Sequence, residues 1–114
     1  MNHRIVNRFN DDFQAIPLFI NNINPNHIEC RNISYDILNI LDILFIHKSM
    51  EIRRIEILMI EINKLFDEMA EIDSEVSIMY FLHIKELLKF YLDELEENED
   101  YEFCSNIKNI LDRW

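Results

Sequence analysis

Ile52-Arg-Arg-Ile55-Glu-Ile-Leu-Met59-Ile-Glu-Ile62-Asn-Lys-Leu-Phe66-Asp-Glu-Met69 is the stretch on which the fold turns. Its apolar residues at 52, 55, 59, 62, 66 and 69 recur at alternating intervals of three and four. That spacing keeps them on one stripe of an α-helix, whereas a strand would scatter them over both faces. The same pattern is the seam of a coiled coil or a long helical hairpin. A matching seam follows at Phe81, Ile84, Leu88, Tyr91 and Leu95, flanked by Tyr80, Leu87 and Leu92. Asp73 and Ser74 stand between the two and offer a helix cap, so the expectation is two helices packed antiparallel. One unbroken helix from Ser49 to Glu97 is the alternative. At 1.5 Å per residue it would be about 70 Å long, which is unusual in a small domain.

Upstream, Ser34 is positioned to cap a helix carrying Ile37, Leu38, Leu41, Leu44 and Phe45, with Ile40 and Ile43 widening its stripe so that it is buried on more than one side. Ser49 can cap the next helix. Downstream, Asn98 ends or recaps the chain before a last apolar face of Phe103, Ile107, Ile110, Leu111 and Trp114. Residues 1–33 read differently. They hold both prolines, Pro17 and Pro25, and Asn21-Asn22-Ile23-Asn24-Pro25-Asn26 is a turn or loop by its side chains and its restricted pre-proline backbone. A short helix near 11–20 and an extended arm over 16–23 both fit. The reading adopted is an irregular N-terminal arm, residues 1–33, anchored by Phe9, Phe13, Leu18, Phe19 and Ile23 on a bundle formed by residues 34–114. The fold expected is therefore all-α, a small antiparallel bundle of about four helices.

The chain has 114 residues with 22 acidic against 11 basic side chains and a formal net charge of -11. Its length suits one domain with a core of its own, so it needs neither a disulfide nor a metal to fold. It contains no glycine. Phosphate-binding loops, dinucleotide fingerprints and nucleophile elbows all use glycine for positive φ or close backbone approach, and are excluded in their usual forms. Twenty Ile and 13 Asn beside two Ala, two Val and no Thr form a skew that AT-rich coding would produce.

The net charge repels nucleic-acid phosphates and anionic membrane surfaces, and neither is expected as a direct partner. His47, Lys48, Arg53 and Arg54 form a basic cluster, but Glu51 and Glu56 dilute it. No signal peptide or membrane span is visible, since apolar runs such as 43–46 and 57–60 are far too short. The chain reads as cytoplasmic, in a bacterial or other host cell, with Cys30 and Cys104 as free thiols. His27-x-x-Cys30 is the one spacing that could begin a zinc site, but no second ligand pair completes it, so no metal or other cofactor is expected. His83, inside an apolar stretch, reads as a hydrogen-bonded packing residue.

Seven carboxylates fall within ten residues, Asp93, Glu94, Glu96, Glu97, Glu99, Asp100 and Glu102, with no basic residue among them. A solvated helix–turn–helix tip is one reading. The other is a docking surface for a basic partner, including a surface that imitates nucleic acid and occupies a phosphate-binding groove.

The stretch from Leu92 to Leu111 resembles the UVR motif, a helical hairpin of nucleotide-excision-repair proteins and of regulators of Clp-type proteases. The resemblance rests on Asp100-Tyr101-Glu102, the small Cys104, the branched Ile107, and Lys108-Asn109 ahead of Leu111. An Arg-Asp pair is usual where Lys108-Asn109 stand, and small residues are common where Leu95 and Glu96 stand. The resemblance implies a helical hairpin that makes protein–protein contacts and is not itself catalytic.

Together these observations lead to a small, acidic, non-enzymatic interaction module. Its size and composition fit an accessory protein or inhibitor of a phage, other virus or mobile element, docking on a basic nucleic-acid-binding protein. The alternative is a structural protein that self-assembles into homo-oligomers through its heptad stripes. A second alternative, an enzyme, could be written with Cys104 and His83 or with paired carboxylates on the third helix, though no spacing selects them.

Overall fold

A computed structural model describes residues 11, 16–18, 20–23, 25–46, 51–97 and 101–112. Four helices account for most of them: α1 (Ile28–Ile46), α2 (Ile52–Ile72), α3 (Ser74–Glu97) and α4 (Tyr101–Leu111). No strand occurs among the described residues. The molecule is the all-α bundle that the apolar spacing predicts.

The seam of α2 is buried as expected, at Ile55, Met59, Ile62, Phe66 and Met69. Ile52, at the helix start, is exposed. Burying isoleucine-, leucine- and phenylalanine-sized side chains contributes about 1.5–3 kcal/mol each before entropy is counted, so this stripe dominates the local energetics. Asp73 alone separates α2 from α3, and the chain reverses there. Across the reversal Ser77 donates its hydroxyl to the carbonyl of Phe66 at 2.8 Å, and the Phe66 ring lies 5.6 Å from Tyr80 and 5.3 Å edge-on from Phe81. The two helices therefore pack antiparallel, as two helices and not one.

In α3 the buried row is Val76, Ser77, Tyr80, Ile84, Leu88, Tyr91 and Leu92. This row is rotated from the predicted seam, since Phe81 and Leu87 are only partly buried against the core. Tyr80 explains the rotation. Its hydroxyl donates to the Ser34 carbonyl of α1 at 3.3 Å, so α3 faces α1 as well as α2.

The N-terminal boundary needs correction. Residues 16–18 and 20–23 are helical rather than irregular, with a turn at 25–26, and α1 begins at Ile28, not after residue 33. Ser34 is no cap. It is fully buried within α1 and donates its hydroxyl to the Arg31 carbonyl at 2.5 Å. The true stripe is Cys30, Ser34, Ile37, Leu41 and Leu44, whose 4-3-4-3 spacing hides behind two small residues. Tertiary burial overrides the weak helix propensity of the Asn-rich segment. Its anchors are Ile16 and Ile20, both buried, while Leu18 and Ile23 are exposed. Phe9, Phe13 and Phe19 lie outside the described residues. Ile43 is also exposed, so α1 buries one broad face.

The predicted cap at Ser49 and the break at Asn98 likewise lie outside the described residues. Glu51 precedes α2 in extended conformation (φ -60°, ψ 145°) without a side-chain cap. Helix α4 packs on both α3 and α2, and Phe103 meets Phe45 of α1 edge-on at 5.6 Å.

Candidate interaction surface

The acidic run straddles the junction of α3 and α4. Asp93, Glu94, Glu96 and Glu97 occupy the end of α3, which carries no basic residue in its last turn. Like charges there face each other at spacings of three and four, and they oppose the negative end of the helix dipole. Each effect is a few tenths of a kcal/mol to about 1 kcal/mol, and both disfavour the arrangement. Glu102, in the first turn of α4, is in contrast favoured by the positive helix start.

One cation offsets part of this cost. Lys108 of α4 donates from its ammonium to Asp93 Oδ1 at 2.8 Å and to Glu96 Oε2 at 2.6 Å. Hydrogen bonds to Asp93 and then Glu96 hold the Lys108 ammonium well above its ordinary titration range. Glu96 is therefore an inter-helix ligand rather than a purely solvated side chain, which explains how a glutamate sits where a close hairpin would favour a small residue. Cys104 completes the contact. It is fully buried and its thiol donates to the Leu92 carbonyl at 3.4 Å, so this small residue permits close approach of α4 to α3.

The remaining carboxylates divide. Glu97 and Glu102 are exposed, Glu94 is half-buried, and Glu99 and Asp100 lie outside the described residues. Tyr101 stands beside them with 61% of its surface exposed. Because α2 runs antiparallel to α3, exposed Arg53 and Arg54 begin α2 at this same end of the hairpin.

Among the described residues, the other chemistry-bearing side chains are not gathered into one site. Cys30 is fully buried, and burial first, then the charges of Asp73 and Glu29, push its thiol up, which disfavours a reactive thiolate. His27 lies 3.5 Å through Nδ1 from Asp73 Oδ2, a contact no sequence spacing announces. No group of three or more His, Cys, Asp and Glu side chains among the described residues is placed to hold a metal. His83 is exposed on α3 rather than packed in the core, and it is nine residues, about 13 Å along the axis, from the Leu92 carbonyl that Cys104 meets. No helix among the described residues is long and apolar enough to cross a membrane. No protein-family model, curated protein or solved structure matches this chain.

Proposed function

We propose that this chain is a non-enzymatic protein–protein interaction module that docks a basic partner, such as a nucleic-acid-binding protein, on the corner between α3 and α4. The observation that carries this reading is the clustering of Asp93, Glu94, Glu96 and Glu97 at the unfavourable end of α3, relieved there by Lys108. A purely structural junction gains nothing from the exposed Glu97 at a negative helix end, whereas a steering surface for a basic partner does. The exposed ring of Tyr101 adds an amphipathic contact of the kind enriched in interfaces. The likeness of 92–111 to a UVR hairpin points to the same class of function. In this reading the protein works in the cytoplasm as an accessory or inhibitory factor of a phage or mobile element. Self-assembly through the heptad stripes has less support, because Ile55 to Met69 of α2 and Ile84 and Leu88 of α3 are already buried within one chain.

The test is capture of partners from host lysate, followed by a salt series on the purified pair. Association should slow as ionic strength rises past about 0.1 M, where exposed charges farther apart than about 10 Å are screened. The double variant Glu97→Gln/Glu102→Gln should keep the fold and weaken the complex. An affinity indifferent to both salt and variant removes the corner from the interface.

A further inference from the structure

The outer face of α3, away from its buried row, carries Ile78, Met79 and Leu82 on adjacent turns, exposed by 60%, 36% and 54%, and Phe90 two turns on, exposed by 44%. Side chains at 78 and 82, and at 79 and 82, are helical neighbours and form one patch. The exposed Ile57 and Ile60 of α2 lie among Arg53 and a Glu61–Lys64 pair at 3.5 Å, and on α1 Asn32 and Asn39 separate Ile28, Tyr35 and Ile43. On α3 the surroundings are different. The same face continues through Glu75, Glu86, Asp93 and Glu97, all exposed, with Lys89 as its exposed cation. Lys85 folds toward the Phe81 ring, 5.9 Å from its centroid. The apolar patch at 78–82 thus lies on the same face as the acidic corner, with the exposed Glu86 and Lys89 between them, and the distance from Ile78 to Glu97 is about 28 Å at 1.5 Å per residue.

We infer that this face of α3 is the apolar half of the docking surface and that its occupant is a basic amphipathic helix of the partner, apolar on one side and Lys- or Arg-rich on its flanks. The inference rests on the reading of the acidic corner and specifies its partner. Charge complementarity selects the occupant. A second copy of a chain with net charge -11 would bring this face's carboxylates against their own kind, whereas a basic helix meets both the apolar patch and the carboxylates that follow it along the face.

The test uses two synthetic fluorescent peptides of about 20 residues, a length set by the 1.5 Å helical rise over this face. One is a Leu/Lys amphipathic helix and the other is oligolysine. The Leu/Lys peptide should bind more tightly, and Ile78→Ser and Leu82→Ser should each weaken it about tenfold, the loss of one buried aliphatic contact, while leaving oligolysine binding and the thermal melt unchanged. Equal binding of both peptides, unaffected by the serine variants but weakened by Glu97→Gln/Glu102→Gln, would overturn the inference and leave the acidic corner standing. Binding of neither peptide at low salt would overturn both. A concentration-dependent dimer abolished by Leu82→Ser would give the face to a second copy instead.

Discussion

Asp73 joins α2 to α3 with a single residue, whereas α3 and α4 meet across 98–100 between helix ends that carry most of the acidic run. At the first junction every polar atom of the linking residue works locally. Asp73 Oδ1 accepts from the N–H groups of Glu75 at 3.1 Å and Val76 at 3.2 Å. Its own N–H donates to the Met69 carbonyl at 2.9 Å, and its second oxygen faces His27. One residue ends one helix through its N–H, starts the next through its carboxylate and contacts the residue before α1. At the second junction the carboxylates outnumber the cations, and Lys108 ties Asp93 and Glu96 while Glu97 and Glu102 stay exposed. The difference teaches how to read charge at a helix junction. A carboxylate at a helix start is satisfied by backbone donors, while one at a helix end costs about 0.3–1 kcal/mol that a nearby cation can offset.

The largest effect expected lies at the first junction. Met69, fully buried one turn before Asp73, should not tolerate aspartate. A carboxylate there loses hydration without gaining a partner, and Met69→Asp should unfold the hairpin in thermal melts followed by circular dichroism. Asp73→Ala should cost about 1 kcal/mol, within the usual 0.5–2 kcal/mol of a lost N-cap, and Asp73→Asn should restore most of it. If alanine and asparagine behave alike, the capping account of this junction fails.

The second junction should respond more weakly. Lys108→Met should cost less than about 1 kcal/mol, because the clamp is partly exposed and surface ion pairs contribute little. Its pH dependence has a definite sign. A lysine whose folded-state titration is raised contributes stability that is complete below its ordinary value of 10.5 and is lost as pH rises above it. Chemical denaturation of wild type and variant should therefore differ at pH 7 and converge in strong alkali, and a gap that widens with pH would contradict the clamp. The smallest effect is expected for Glu97→Gln/Glu102→Gln, within about 0.5 kcal/mol of wild type. A large destabilisation by this pair would mean that the corner is structural and would dissolve the contrast with Asp73.

Much of the bundle is legible in the residues themselves. The 3-4 spacing of α2 needs no partner to be seen, and the Asp73-Ser74 break is visible because a capping residue interrupts two apolar stripes. The start of α1 is not legible. Ser34 has the local chemistry of a cap, and only the Tyr80 hydroxyl, 46 residues away, together with full burial, reveals it as a core position. At the acidic corner the seven carboxylates are plain to count, but their division into clamped and exposed groups depends on where α4 lands. Lys108 follows the run by only a few residues, yet its reach to Asp93 and Glu96 exists only once the hairpin closes.

By itself, then, the chain determined its all-α class, the seam of α2, the capped reversal at Asp73 and the concentration of charge at 93–102, because each depends on neighbours within about one helical turn or on simple counting. Tertiary structure alone decided that residues 28–33 join α1, that α3 turns Tyr80 toward α1, that Ile78 and Leu82 are left at the surface, and that Lys108 bridges Asp93 and Glu96. These are contacts between residues far apart along the helices or on different ones. They follow from which faces remain when four helices bury their stripes together, a condition that no single segment carries.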